Sequence, residues 1–128
     1  MPESYPTSKR NDERFPILAH VRFRLVWSPD GSAPDPELHN GNNVIWNISR
    51  TGLFLATKNY AEIKSIVEVE FPLDDLQVVL RGEAEVVRAN FLNNPSQGKY
   101  EYGLCFTKMD EESRQHLDRF ITLIDRKK

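Results

Sequence analysis

The amino-acid sequence predicts a mainly β domain, a six-stranded antiparallel β-barrel with a C-terminal α-helix. In successive short segments, apolar residues alternate with polar ones, and clusters of Gly, Pro, Asn and Asp separate these segments. Only the last segment repeats its apolar residues at helical spacing instead. A chain of 128 residues is the size of one domain, and closing the sheet into a barrel would remove its exposed edges.

The first strand is predicted over residues 19–27. Its apolar residues recur at every second position, a period that indicates a half-buried strand: Ala19, Val21, Phe23, Leu25 and Trp27. Residues 1–18 are polar and aperiodic over most of their length, which predicts a flexible N-terminal arm ahead of a barrel domain at 19–128. Residues 28–43 are rich in Pro, Gly, Asp and Asn and predict a long loop.

The later strands are predicted over residues 44–48, 53–56, 66–71, 78–89 and 100–106, with a turn at residues 93–98. In the long strand, Leu80, Ala84 and Val86 form the inward face, together with Gly82, which would suit a bulge or a close backbone approach. The helix is predicted at about residues 110–126, with Asp110 as its N-cap.

Composition narrows the class of function. The net charge of −2 argues against general nucleic-acid binding, which favours a strongly basic face. No apolar run approaches the ~18 residues of a membrane span, and the N-terminus has no hydrophobic signal core, so we expect a cytoplasmic protein with no membrane insertion. Cys105 lies in an apolar strand pattern, which predicts a buried, inert thiol.

The sequence indicates no enzyme. His20, His39 and His116 lack the spacing of a metal site, so we expect neither a metal nor a cofactor. Ser49 is not in a Gly-x-Ser-x-Gly context, and neither a Walker loop nor a Gly-x-Gly-x-x-Gly motif occurs.

Two features point to ligand binding. The first is Asn47-x-Ser49-x-x-Gly52 between two strands, which by itself also fits an ordinary turn. The second is a basic cluster before the first strand, where Arg10 and Arg14 have the spacing Arg-x-x-x-Arg, and a solvated tail is the alternative. Guanidinium groups bind phosphate oxygens in a bidentate manner and stack on aromatic bases, so such a pair would suit a purine nucleotide.

Taken together and in this order, the motifs resemble the PilZ domain family of bacteria. The likeness continues in Gly82-Glu83-Ala84-Glu85-Val86-Val87-Arg88, in Tyr102-Gly103-Leu104-Cys105-Phe106, and in the closing helix. The resemblance implies a split-barrel fold that binds cyclic di-GMP. It assigns contacts with the phosphates and guanine faces to Arg10 and Arg14, and contacts with the guanine edge to Asn47 and Ser49, while Gly52 permits the tight turn.

In many members of that family the second arginine leads almost directly into the first strand, whereas Arg10 and Arg14 lie three residues earlier. Three further arginines are alternative sources of positive charge: Arg22, Arg24 and Arg50. The resemblance implies a receptor that relays the signal to an unidentified downstream protein, with one or two ligands per chain, as a monomer or weak dimer. The alternative is a PilZ-like adaptor that binds no nucleotide and acts by protein contacts in pilus or flagellar motility control.

Overall fold

The computed structural model describes residues 14–38, 43–91 and 100–126. In chain order, its elements are β1 (Phe15–His20), β2 (Arg22–Trp27), β3 (Val44–Ile48), β4 (Gly52–Thr57), β5 (Ile66–Leu73), β6 (Val78–Phe91), β7 (Tyr100–Lys108) and α1 (Glu111–Arg126). A 3-10 turn, Asp74–Leu76, joins β5 to β6. The turn predicted at residues 93–98 lies outside the described residues.

The strands form one antiparallel sheet in the order β1-β3-β4-β7-β6-β5-β2. The two edge strands, β1 and β2, are separated only by Val21. A single extended stretch of chain therefore pairs with β3 through its first half and with β5 through its second half. This arrangement curls the sheet around its core, and the predicted fold class is confirmed: six extended segments, the first of them divided at Val21, followed by a helix.

The first strand begins at Phe15, four residues before the predicted start at Ala19. Phe15 is buried and joins the hydrophobic core, so burial of this ring extends the strand toward the N-terminus. Pro16 is accommodated because β1 is an edge strand, where one backbone N–H is not needed for the ladder. Residues before Arg14 lie outside the described part, so the flexible arm stays a prediction.

The inward faces of the strands match the predicted alternation. Residues at every second position of β5 and β6 are buried in the core: Val67, Val69, Phe71, Leu80, Ala84 and Val86. Gly82 is also buried, and a Cβ there would lie 3.2 Å from the carbonyl oxygen of Lys108, which confirms a close approach. Trp27 is an exception, since it is 53% exposed. The pairing of β2 with β5 shifts between Leu25 and Trp27, and the shift breaks the alternation that predicted an inward ring.

Helix α1 closes the fold as predicted. The carboxylate of Asp110 accepts a hydrogen bond from the backbone N–H of Ser113 at 2.7 Å, which confirms Asp110 as the N-cap. Leu117, Phe120 and Ile121 are buried against the sheet. Among the described residues, no helix has the length and apolarity needed to cross a membrane.

A buried tyrosine fixes the connection between β4 and β5. Tyr102 is completely buried; its hydroxyl oxygen accepts from the N–H of Ala61 at 2.6 Å and donates to the carbonyl of Asn59 at 3.0 Å. Burial raises the pKa of the Tyr102 phenol, so the group stays protonated and able to donate.

We expect Tyr102→Phe to lower the free energy of unfolding by about 1–3 kcal/mol, because both backbone groups lose their hydroxyl partner in a buried setting. Urea denaturation measures the change. Tyr60→Phe is the matched control: Tyr60 is 63% exposed, and its substitution should shift stability by less than about 0.5 kcal/mol. Equal midpoints for the two variants would contradict the structural role of the Tyr102 hydroxyl.

Candidate functional site

A row of residues crosses the outer face of the sheet. Strand pairing aligns Asn47 on β3 with Phe54 on β4, Phe54 with Gly103 on β7, and Gly103 with Arg88 on β6. Adjacent strands are about 4.8 Å apart, so the row spans about 14 Å. We call these four residues the outer row.

Two β-bulges bring the ends of the outer row onto that face. Pairing shifts between Ile45 and Asn47 on β3, and between Val86 and Arg88 on β6. Regular alternation would place Asn47 on the same side as buried Ile45, and Arg88 on the same side as buried Val86. One extra residue in each strand reverses that direction, and bulges commonly reorient side chains in this way beside functional sites.

Arg14 lies on the outer row. Its guanidinium carbon is 4.5 Å from the centroid of the Phe54 ring, a cation–π contact. Its Nη1 donates to Oδ1 of Asn47 at 3.3 Å. The structure therefore brings together two predicted site residues, one from the segment before β1 and one from the turn motif. Arg10, the other predicted arginine, lies outside the described residues.

Ser49 supports the turn from inside. It is completely buried, and its Oγ accepts hydrogen bonds from the backbone N–H groups of Thr51 and Gly52, each at 3.2 Å. The backbone N–H of Ser49 also donates to the carbonyl of Gly52 at 2.8 Å. The sequence motif thus forms a tight turn between β3 and β4, which is stabilised by hydrogen bonds among its own residues.

Gly52 is required for a reason other than the one the sequence suggested. Positive φ among the described glycines occurs at Gly31, whereas Gly52 is packed against β7. A Cβ at position 52 would overlap the backbone carbonyl of Leu104. The missing side chain therefore permits close contact between two strands, which in turn fixes the position of the turn on the sheet.

A cavity of about 280 Å³ opens over Phe54, Gly103 and Arg88 of the outer row, and Asn47 is not in its lining. Its lining contains two arginines and, among the described residues, no carboxylate: Arg14, Thr51, Phe54, Val87, Arg88, Gly103, Leu104 and Cys105. An anionic ligand with flat rings suits this surface, because cations and an aromatic face lie side by side. The prediction of a buried thiol at Cys105 is wrong: the side chain is exposed, since it alternates with the inward residue Leu104.

The alternative arginines lie elsewhere. Arg22 pairs with Glu70 at 2.7 Å and Arg24 with Glu68 at 2.5 Å, both on the β2–β5 side of the sheet. Arg50 pairs with Asp118 of α1 at 3.0 Å, and its carbonyl accepts from Nη1 of Arg114 at 2.7 Å. Arg50 therefore joins the turn to the helix.

A larger cavity, of about 500 Å³, lies between the β5–β6 hairpin and the start of α1. Its Arg81 is already bound to Glu70, and that hydrogen bond is the main cause of a lowered pKa at the Glu70 carboxyl. Asp110 and Glu112 add further negative charge. An anion would be repelled there, so the cavity over the outer row is the better candidate for a nucleotide.

Solved structures that share this fold include the following three. The chain is similar to the inhibitor of motility MotI/DgrA of Bacillus subtilis (17% identity, TM-score 0.61, 89% of this chain) and spans about half, 48%, of that protein. It is similar to a tetrameric PilZ domain protein of Xanthomonas campestris (11%, TM-score 0.62), with 99% of this chain and 98% of the other covered. It also resembles the PilZ domain of YcgR from Escherichia coli, solved with c-di-GMP (13%, TM-score 0.51, 90% and 92%).

At these identities the structures establish the fold. A search of curated protein sequences returned no significant match. The model of the PilZ domain family matches residues 8–123, a range that contains the turn motif, every strand of the sheet and most of α1. The resemblance read from the motifs is thereby confirmed, and this chain belongs to the PilZ domain family.

Proposed function

We propose that this chain is a receptor for cyclic di-GMP that relays binding to a protein partner and catalyses no reaction. The observation that carries the proposal is the position of Arg14, whose guanidinium carbon lies 4.5 Å from the centroid of the Phe54 ring and whose Nη1 donates to Asn47. A guanidinium stacked on one aromatic ring leaves its opposite face for a second flat group, here a guanine base. Its remaining N–H donors suit the phosphate oxygens of the ligand.

Asn47 would read the guanine edge. Its Oδ1 accepts one hydrogen bond from Arg14 and has a second lone pair for a guanine N–H, while its amide nitrogen supplies donors for guanine acceptors. Ser49 and Gly52 would contribute by holding the turn in the shape that presents Asn47. Arg10 would join from the N-terminal arm when that segment closes over the turn.

The relay would pass through Arg50. This residue belongs to the turn, yet its side chain and carbonyl are bound by Asp118 and Arg114 on α1. A displacement of the turn by the ligand would therefore change contacts on the helix, which we propose as the element read by a cytoplasmic partner. Membership in the family supports this ligand class, as does the similar PilZ domain of YcgR, which was solved with c-di-GMP.

Calorimetric titration of the purified chain with cyclic di-GMP tests the proposal. We expect a Kd of about 1–10 µM, and the fitted stoichiometry reports whether one or two ligands bind. Cyclic di-AMP is the matched control ligand, since it has the same phosphates without the guanine edge, and it should bind at least about tenfold more weakly. Absence of heat at about 50 µM cyclic di-GMP would exclude the receptor function and favour the adaptor that acts by protein contacts.

A further inference from the structure

We infer that Arg88, on β6, is a further cation of the ligand site, in addition to Arg14 and Arg10, at the end of the outer row opposite Asn47. This inference rests on the proposed function and adds a residue that lies in neither of the two sequence motifs. Arg88 lines the same 280 Å³ cavity as Arg14, yet it belongs to the other end of the row, at the partner position of Gly103.

The bulge on β6 is what turns Arg88 toward the site. Val86 is completely buried, and strict alternation would direct Arg88 toward the core as well. With the pairing shifted between these two residues, Arg88 becomes exposed on the face that also carries Gly103 and Phe54. The bulge therefore places this basic side chain in the cavity and not on the core side of the strand.

Gly103 lets the Phe54 ring and the stem of Arg88 lie next to each other. A Cβ at this position would lie 2.9 Å from Cε1 of Phe54 and 3.3 Å from the Cβ of Arg88, so these two side chains already fill the space above the glycine backbone. Arg88 is therefore a neighbour of the ring that carries Arg14. A ligand in the cavity that both arginines line would lie on top of this ring and could contact both guanidinium groups.

The pairing of the other arginines supports this assignment. Arg22, Arg24 and Arg50 each form an ion pair with a carboxylate away from the cavity. Within the described ranges, 14–38, 43–91 and 100–126, Arg88 forms neither an ion pair nor a side-chain hydrogen bond. An exposed guanidinium beside a second one repels it, and a bound dianion would relieve that repulsion. The site therefore gains net attraction for a ligand with two phosphates.

The planar guanidinium group of arginine distinguishes two ways in which Arg88 could bind the ligand: through directed contacts or through charge alone. If Arg88 binds phosphate in bidentate fashion or stacks on guanine, lysine will replace it only in part, because an ammonium group keeps the charge and loses both the fork and the stacking plane. A contribution through charge alone would instead be retained by lysine and would disappear at high salt.

The experiment is titration of cyclic di-GMP into the wild-type chain and into Arg88→Ala, Arg88→Lys and Arg119→Ala. Arg119 is an exposed arginine on α1, outside this cavity, and is the matched control. We expect Arg88→Ala to raise the Kd at least about tenfold, Arg88→Lys to give an intermediate value, and Arg119→Ala to match the wild type. Thermal unfolding should show that Arg88→Ala keeps the wild-type midpoint, since the side chain is exposed.

The outcomes separate the two proposals. If the wild type binds and Arg88→Ala binds within about twofold of it, Arg88 is not a ligand residue, while the receptor function stands. If Arg119→Ala weakens binding as much as Arg88→Ala, the loss of affinity comes from the change in net charge, and Arg88 is not a ligand residue. If the wild type itself binds no cyclic di-GMP, the receptor function fails and the role of Arg88 fails with it.

Discussion

Gly52→Ala is expected to lower the free energy of unfolding by at least about 3 kcal/mol, the largest effect of any substitution in the turn. The added methyl group would overlap the carbonyl of Leu104, a backbone group that cannot rotate away. Relief requires β4 and β7 to separate, which breaks ladder pairing from Gly52 onward. The same movement would strain the bond from the Gly52 N–H to Oγ of Ser49.

Gly31→Ala is the control for this prediction. Gly31 has a φ of +83° and open space around its Cα, so alanine there meets conformational strain of about 1 kcal/mol without any clash. Chemical denaturation of both variants compares a glycine needed for its φ with a glycine needed for a close approach. A Gly52→Ala midpoint equal to that of Gly31→Ala would show that the strands tolerate the methyl group.

Arg14→Ala is expected to weaken cyclic di-GMP binding about a hundredfold, with a change in folding stability below about 1 kcal/mol. The loss combines charge-assisted hydrogen bonds to phosphate with stacking on guanine, and the two together amount to about 3 kcal/mol. Stability changes little because Arg14 is exposed and its contacts with Phe54 and Asn47 lie at the surface.

Arg22→Ala is the companion variant for Arg14. This substitution also removes one exposed arginine, but it breaks an ion pair with Glu70 at the β2–β5 end of the sheet, away from the outer row. The affinity of Arg22→Ala for cyclic di-GMP should therefore equal that of the wild type. Titration calorimetry and thermal unfolding on each variant give the two readouts. An Arg14→Ala protein with wild-type affinity, or an Arg22→Ala protein that loses binding, would place the ligand elsewhere than over the outer row.

The hydrophobic pattern was sufficient to predict the architecture. Alternation with period two identified each strand because one face of the sheet must pack in the core, as Val67, Val69 and Phe71 do. Helical spacing identified α1 because Leu117 and Ile121 lie one turn apart on the buried stripe. The spacing of Asn47, Ser49 and Gly52 located the turn, since its hydrogen bonds join residues at most three positions apart.

Which residues form the site depends on the register between paired strands. Asn47 and Arg88 reach the outer face through bulges, and a bulge is a property of the register between two strands. Alternation alone directs Arg88 toward the core, so periodicity does not select it as a site residue, and the alternative cations named from the sequence are Arg22, Arg24 and Arg50. Their carboxylate partners are 44 to 68 residues away in the chain and become visible only when the sheet is assembled.

The sequence by itself determined the mainly β antiparallel fold, the closing helix and the place of the Asn47–Gly52 turn, because these depend on local periodicity and short-range hydrogen bonds. Tertiary structure decided that Gly52 is needed for its closeness to Leu104, that Ser49 is buried beneath the turn, and that Arg14 lies over Phe54. The Gly52–Leu104 and Arg14–Phe54 contacts join residues 52 and 40 positions apart in the chain, and strand pairing sets their geometry.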